Sequence, residues 1–176
     1  MLVLILFIVL FVLTFVILLT FALGALSAAP WLPLPGREVE RLIDLAELKS
    51  ADVVYDLGCG DGRLLFAAVR KYQVSAVGFE IALLPYLLAR LRWLFFPGRK
   101  KVKIHFHSFW NEPLAPATVV LCFLMPESMA KLAPKVRTEL RPGARVVSYV
   151  FKLPGTEPNL VSRSGDKTAA IYRYIF

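Results

Sequence analysis

A glycine-rich turn preceded by an acidic residue carries the strongest chemical signal in this chain. The turn runs Asp56-Leu57-Gly58-Cys59-Gly60-Asp61-Gly62-Arg63 and follows the apolar residues Val53-Val54-Tyr55. Glycines at alternate positions permit positive φ angles at a tight turn and let the backbone approach a ligand closely. Glu80 follows at the end of a second apolar segment, where a carboxylate is placed to accept hydrogen bonds from the hydroxyls of a ribose.

The spacing of this turn excludes two common phosphate-binding motifs. The dinucleotide motif G-x-G-x-x-G needs glycine where the chain has Arg63, and the Walker motif G-x-x-x-x-G-K-[ST] is absent. No lysine or arginine lies between Asp56 and Gly62 to neutralise a phosphate. The residues therefore favour an adenosine-like ligand without phosphates that carries an amino group for Asp56, a description that S-adenosyl-L-methionine fits. The alternative is structural, with Asp56 as a helix cap and Glu80 as a surface carboxylate.

Alternating strands and helices must position these residues. The predicted strands are apolar on both faces and alternate with amphipathic helical patterns, which is typical of a mostly parallel α/β sheet covered by helices on both sides. We predict strands at residues 53–55, 75–79, 102–106, 118–123 and 145–151, and helices at residues 37–48, 62–72, 83–96 and 127–140. Residues 159–163 and 169–176 flank Ser164-Gly165-Asp166-Lys167 and are predicted to form a terminal hairpin.

The N-terminal segment has a different composition. Residues 1–36 contain no charged side chain, and Leu2 to Ala28 form a continuous apolar run. As a helix this run is about 40 Å long, more than the ~30 Å hydrocarbon core of a bilayer. We predict a transmembrane anchor over residues 1–29, a proline-rich linker over residues 30–36 and a domain over residues 37–176.

Two features bear on how this segment is used. Ser27-Ala28-Ala29 offers small residues to a signal peptidase, so a cleaved signal peptide is the alternative to an anchor. Basic residues follow the apolar run and none precedes it, so the positive-inside rule predicts a single-pass protein with its domain on the cytoplasmic side. Trp31 is expected at the membrane interface.

The motifs together resemble the class I S-adenosylmethionine-dependent methyltransferases. The resemblance extends to the membrane-anchored protein-lysine methyltransferases that act on the ATP synthase c-ring protein and the adenine nucleotide translocase, and to their prokaryotic relatives. It implies a Rossmann-like, seven-stranded, mostly parallel sheet with a C-terminal antiparallel hairpin. The segments that carry it are Leu57–Arg63, Ala76–Glu80, Pro85–Leu87, Arg90–Trp93, Ala117–Val120 and Leu140–Ser148.

The resemblance also implies roles in binding the cofactor. Asp56, Gly58 and Gly60 are expected at the methionine moiety, with Cys59 and Gly62 of the same loop. Glu80 is expected at the ribose and Ile81 against the adenine. Ser108 and Phe109 align with an acidic residue and an apolar neighbour after the third strand. A serine hydroxyl accepts a bond from the adenine amino group more weakly than a carboxylate does.

The methyl acceptor is expected near the loop Leu124-Met125-Pro126-Glu127, which follows the fourth strand. This loop lacks the asparagine- or aspartate-Pro-Pro-aromatic motif of nucleic-acid and glutamine methylating relatives. A lysine is nucleophilic only when neutral, and an apolar pocket lowers its pKa, so no dedicated base is required. Glu127 is a candidate to hold an ammonium, or it interacts with the helix dipole. Phe109 and Trp110 either wall an acceptor channel or pack beneath the sheet edge.

Two further features have competing interpretations. Leu83 to Phe96 is apolar nearly all round and is followed by Arg99-Lys100-Lys101, so it is either a buried helix or one that docks on anionic lipid. His105 and His107 share a strand face, but no third ligand is evident, and no metal is expected.

The net charge of +8 is interpreted as favouring binding to acidic lipid, and no nucleic acid is expected as a partner. Two cysteines, Cys59 and Cys122, exclude a disulfide scaffold.

The sequence as a whole predicts a membrane-anchored S-adenosyl-L-methionine-dependent methyltransferase that acts on a lysine of a membrane protein. Confinement to the bilayer would raise the effective concentration of such an acceptor. The alternatives are a membrane lipid or isoprenoid as acceptor, and a catalytically silent cofactor-binding scaffold. The identity of the acceptor and the oligomeric state stay open at this stage.

Overall fold

The apolar strand segments pair into one seven-stranded sheet in the computed structural model, which describes residues 1–27, 31–163, 165 and 169–176. The order across the sheet is β3-β2-β1-β4-β5-β7-β6, with β1 to β5 parallel where they pair and β7 antiparallel to both of its neighbours. The strands are β1 (Val53–Leu57), β2 (Ser75–Glu80), β3 (Val102–Phe106), β4 (Val119–Cys122), β5 (Arg145–Tyr149), β6 (Leu160–Ser162) and β7 (Ile171–Ile175). The predicted mostly parallel sheet with a C-terminal antiparallel hairpin is confirmed. The predicted turn of that hairpin lies outside the described residues except for Gly165.

Helices cover both faces of the sheet, as the apolar strands require. They are α1 (Leu2–Ser27), α2 (Gly36–Leu45), α3 (Arg63–Tyr72), α4 (Leu83–Phe95) and α5 (Pro126–Glu139), with short 3₁₀ turns at Arg99–Lys101 and Phe109–Asn111. Buried side chains of α2, α3 and α4 form one core with the sheet. Those of α5 form the second core on the opposite face.

Two elements end two or three residues earlier than the sequence predicts, each close to a residue with positive φ. Helix α2 ends at Leu45 because Glu47 has φ of 47°, outside the helical region. Leu48, the predicted end, is nevertheless buried in the first core. Strand β5 ends at Tyr149 because Val150 turns away with φ of 70°, although its backbone N–H still donates to the carbonyl of Ala170 at 2.8 Å.

Helix α1 is apolar on all sides and lies outside both cores. An 18-residue window, Leu2–Leu19, has a mean hydropathy of 3.6, and none of that window is buried. The one polar side chain in it, Thr14, donates its hydroxyl hydrogen to the carbonyl of Leu10 at 2.9 Å, which satisfies the hydroxyl within the helix. Within the described residues α1 is therefore the one helix long and apolar enough to cross a membrane. The predicted boundary between anchor and linker, at residues 28–30, lies outside the described residues.

The parallel register brings the loops that carry the predicted site to one edge of the sheet. Leu57 pairs with Phe79 on one side and with Cys122 on the other, and Glu80 pairs with Phe106. The loops that follow β1, β2, β3 and β4 must therefore meet at the carboxyl edge, where open α/β sheets bind their ligands.

Candidate active site

A single cleft at this edge brings together most of the residues singled out in the sequence. It encloses about 880 Å³ of space free of protein atoms, part of it open to solvent. Four loops after the parallel strands line it, and residues from the proline-rich segment after α1 cover it. The lining residues are Trp31, Leu32, Pro33, Leu34, Asp56, Gly58, Cys59, Gly60, Asp61, Arg63, Leu64, Phe79, Glu80, Ile81, Ala82, His107, Ser108, Phe109, Trp110, Phe123 and Leu124.

The glycine loop adopts the positive φ angles that the sequence predicts, with 82° at Gly58, 56° at Gly60 and 76° at Gly62. At Gly60 a Cβ atom would lie 2.7 Å from the indole of Trp31, so a side chain there would displace the tryptophan. Gly62 is outside the cleft lining and serves the fold, because the ring of Phe66 occupies the space its Cβ would take. The loop thus exposes its backbone to the cleft at Gly58, whereas at Gly60 the indole of Trp31 packs over it.

Glu80 joins two of the loops through its carboxylate. Its Oε2 accepts a hydrogen bond from the backbone N–H of Gly60 at 2.8 Å. Its Oε1 accepts from the N–H groups of Ile81 at 2.9 Å and Ala82 at 2.7 Å. A carboxylate offers about four acceptor positions, so these amides leave room for about one more donor. Burial raises the pKa of Glu80, and the three amides oppose that rise.

Asp56 is buried in the wall of the cleft, with 2% of its surface exposed. Its Oδ2 atom has no hydrogen-bond partner among the described residues. Burial, followed by repulsion from Glu80 and Asp61, raises the pKa of Asp56 to about 8. A buried, unpartnered carboxyl beside an open cleft is well placed to bind a cation, which would lower that pKa and restore the charge.

The third acid, Asp61, is already neutralised. Arg63 donates from Nε and Nη2 to its two oxygens at 2.9 and 2.6 Å, and Arg92 Nη1 lies 2.8 Å from Oδ2. Burial raises the pKa of Asp61, but the Arg63 hydrogen bond and both guanidinium charges outweigh it and lower the pKa overall. Arg63 also donates to the carbonyl of Leu34, which ties the proline-rich segment to the glycine loop. Arg63 is thus occupied by Asp61 and Leu34, although it lines the cleft.

The residues expected at the adenine lie in the loops that follow β2 and β3. Ile81 is partly buried and lines it. Ser108 lines it as well, and its hydroxyl accepts from the backbone N–H of Trp110 at 3.4 Å, so the oxygen retains one acceptor position. Phe109 is 4% exposed and belongs to the second core, and its ring centroid lies 4.5 Å from that of Trp110. Phe109 therefore lines the cleft and also packs in the core, and its place in an acceptor channel stays a prediction.

Glu127 is not brought into the cleft. It lies exposed in the first turn of α5, outside the lining, while Leu124 of the same loop lines the cleft. Cys59 is buried and lines the cleft. A Cβ atom added at Gly78 would lie only 2.7 Å from the Sγ of Cys59. Gly78 is therefore a supporting residue that the glycine-loop motif does not reveal.

The sequence reasoning missed two parts of the lining. Trp31 was expected at the membrane interface, but it packs on Gly60, together with Leu32, Pro33 and Leu34 in the cleft wall. His107 was considered only as a metal ligand. It lines the cleft, its ring centroid lies 5.6 Å from that of Phe79, and its Nε2 lies 3.4 Å from Glu112 Oε1. The described residues contain no group of three or more histidine, cysteine, aspartate or glutamate side chains arranged to hold a metal.

The cleft residues fit S-adenosyl-L-methionine. The cofactor carries a sulfonium and an ammonium. The cleft offers a buried Asp56 oxygen that has no hydrogen-bond partner among the described residues, an acceptor position at Glu80, and an accessible backbone at Gly58. S-adenosyl-L-methionine supplies an electrophilic methyl group. The parallel sheet, its antiparallel hairpin and this acidic, glycine-lined cleft together define a class I methyltransferase that uses this cofactor.

The chain belongs to the family described as the ANTKMT methyltransferase domain, whose model matches residues 56–160. A protein-lysine N-methyltransferase from Saccharolobus islandicus (strain REY15A) is 36% identical over 151 residues, which cover 83% of this chain and 92% of that protein. An adenine nucleotide translocase lysine N-methyltransferase from Mus musculus is 35% identical over 147 residues, 82% of this chain but only 62% of that protein. The resemblance identified in the sequence is thereby confirmed.

A solved structure shares both the fold and the ligand class. It is described as an RNA methyltransferase from Salinibacter ruber in complex with S-adenosyl-L-homocysteine. It is 30% identical, with a TM-score of 0.77, and the match covers 82% of this chain and 93% of that one. Together with the family, this similarity identifies the protein as an enzyme that uses S-adenosyl-L-methionine.

Proposed function

We propose that this protein transfers a methyl group from S-adenosyl-L-methionine to the side-chain amine of a lysine on a membrane protein, and that α1 anchors it in the same membrane. The observation that carries the lysine assignment is the 36% identity to a protein-lysine N-methyltransferase over nearly that protein's whole length. A membrane acceptor is supported by α1 and by the mouse relative, whose name specifies the adenine nucleotide translocase.

Aromatic side chains in the cleft lining support an amine as acceptor. Trp110 lines the cleft, and the Lys131 side-chain nitrogen 4.5 Å from its ring centroid is an example of an amine packed against this indole. Phe109 beside it provides an apolar wall. An amine that leaves water to enter such a site loses its proton more readily, and only the neutral amine attacks a methyl group.

The cofactor roles of the loop residues belong to the same proposal. Asp56, Gly58, Cys59 and Gly60 hold the methionine end, and Glu80 accepts from a ribose hydroxyl. In the proposal, Ile81, Ser108 and Phe109 form the adenine side, and Gly62 acts indirectly through the turn. The anchor over residues 1–29 holds the domain on the cytoplasmic face, as the basic residues after α1 indicate.

Methyl-labelled cofactor tests the acceptor. The full-length protein in detergent is incubated with membranes from its source and labelled S-adenosyl-L-methionine, and label is then counted in the protein, lipid and RNA fractions. We expect label in a protein band, located by mass spectrometry on lysine and absent with Glu80→Ala. Label in lipid would favour the lipid or isoprenoid alternative. Label in RNA would favour the activity named for the Salinibacter ruber structure, and cofactor binding without any transfer would favour a silent scaffold.

A further inference from the structure

Helix α4 presents an apolar face to the outside of the domain. Its inner face is buried through Pro85 and Ala89. On the outer face Leu87 is 50% exposed, Leu91 54%, Leu94 51% and Phe95 81%. Their spacing of four, three and one residues places them along one stripe of the helix. A stripe of large exposed apolar side chains on one element marks an interaction surface.

The neighbouring helices on the same side of the sheet are different. The exposed positions of α2 include Arg37, Glu40 and Asp44, and those of α3 are Arg70 and Lys71. The outward faces of α2 and α3 are therefore polar and suited to solvent, whereas the outward face of α4 is apolar. This difference indicates that the outer face of α4 has an apolar partner.

The residues at the end of α4 indicate what that partner is. Arg99 and Lys100 are exposed directly after the helix. The guanidinium of Arg90 lies 4.6 Å from the ring centroid of Trp93, and the Trp93 indole N–H donates to the carbonyl of Val102 at 2.9 Å. Leucine and phenylalanine on one face, with tryptophan and basic residues beside it, compose a helix that lies in the headgroup layer of an anionic membrane.

Continuity with α1 favours the same partner. Helix α1, which is long and apolar enough to cross a membrane, contacts α4 within the chain. A membrane that holds α1 is therefore close to the α4 stripe. We propose that the outer face of α4 docks on the surface of an anionic bilayer as a second contact that fixes how the methyltransferase domain is oriented. This inference rests on the proposed anchoring by α1.

A fluorescent label on the full-length protein tests this contact. The natural cysteines, Cys59 and Cys122, are both buried, so a new surface cysteine is the one that reacts. Leu91→Cys reports on α4, and Ala130→Cys, exposed on α5 across the sheet, is the matched control. Leu10→Cys reports on α1. Each labelled protein is placed in nanodiscs of phosphatidylcholine alone or with about one third phosphatidylglycerol, and quenching by spin-labelled lipid is measured.

Docking predicts that the label at position 91 shifts to the blue and is quenched by spin-labelled lipid, more strongly in the anionic discs, while the label at position 130 is unaffected. Arg99→Glu combined with Lys100→Glu should weaken docking at least about tenfold, since each cation near the surface contributes roughly a fivefold effect. A label at position 91 that stays in water overturns docking, and so does a blue shift without lipid quenching, which would indicate a second copy or α1 as the partner. The label at position 10 is read separately, and its failure to be quenched would instead overturn the anchor.

Discussion

The raised pKa of Asp56 makes a prediction about stability that can be worked out from the structure. Burial and two neighbouring acids raise its pKa from 3.8 to about 8. The folded protein therefore keeps a proton on this carboxyl at pH values where the unfolded chain has lost it. Because the unfolded state binds fewer protons in this range, the free energy of unfolding must fall as pH rises from about 4 to about 8.

The expected size of the effect follows from the pKa difference. Each pH unit within that window lowers the free energy of unfolding by about 1.4 kcal/mol. The loss of stability between about pH 4 and about pH 7 is therefore roughly 4 kcal/mol. Asp56→Asn resembles the protonated carboxyl and does not titrate. The variant should therefore lack this part of the pH dependence and be the more stable protein near neutral pH.

Urea unfolding of both proteins in mild detergent, followed by tryptophan fluorescence, measures the difference. The three tryptophans lie outside α1, so the signal reports on the domain. Asp44→Asn is the control, because its exposed carboxyl forms an ion pair with Lys71 and its pKa is lowered, which affects stability only in acid. Equal pH dependence of the natural protein and Asp56→Asn between about pH 4 and 7 would refute the reasoning.

The same carboxyl should govern binding of the cofactor. A cationic ligand favours the ionised form of Asp56, so S-adenosyl-L-methionine should bind up to about tenfold more tightly at about pH 7 than at about pH 6. In Asp56→Asn the affinity should be at least about tenfold lower and nearly independent of pH. S-adenosyl-L-homocysteine lacks the sulfonium charge but keeps the ammonium expected at Asp56, so its affinity should show the same direction of pH dependence, which calorimetry with both ligands can measure.

Three further substitutions test other parts of the cleft. Glu80→Gln replaces one accepting oxygen by a donor that faces a backbone N–H, so it should cost about 1–3 kcal/mol of stability and weaken cofactor binding, as thermal unfolding and calorimetry would show. Gly78→Ala places a methyl group against Cys59 and should cost about 1–3 kcal/mol in urea unfolding. Trp31→Ala removes part of the cleft wall and should weaken cofactor binding a few-fold to about tenfold in calorimetry, with the fold retained.

Matched controls separate these effects from general damage. Gly36→Ala should be nearly neutral, because no atom of the described residues beyond its chain neighbours lies within 4 Å of the added methyl group. An equal cost of Gly36→Ala and Gly78→Ala would contradict the packing argument. Pro35→Ala changes the same segment as Trp31 outside the cleft lining. If Pro35→Ala weakens cofactor binding as much as Trp31→Ala does, the indole has no specific role in that binding. Unchanged stability and binding in Glu80→Gln would show that its three amide bonds do not hold the loops.

Local sequence patterns were sufficient for the elements and for the centre of the site. The alternation of apolar strands with amphipathic helices predicted the sheet, because burial on both faces requires continuous apolar strands. The glycine turn and Glu80 predicted where the cleft lies, because parallel strands end at the same edge of the sheet. The ends of α2 and β5 were misplaced, since Glu47 and Val150 adopt positive φ angles for which neither residue type gives a signal.

The sequence by itself determined the methyltransferase class, the apolar N-terminal segment and the acidic loop residues. Each of these features depends on residues close together in the sequence, whose types and spacing favour a particular local backbone conformation. Only the tertiary structure decided that Trp31 covers Gly60, that Glu80 is shared among three backbone amides and that Glu127 lies outside the cleft. It alone showed that one face of α4 is left exposed. These features depend on which distant segments come into contact in the folded protein. The composition and spacing of residues within one segment do not determine those contacts.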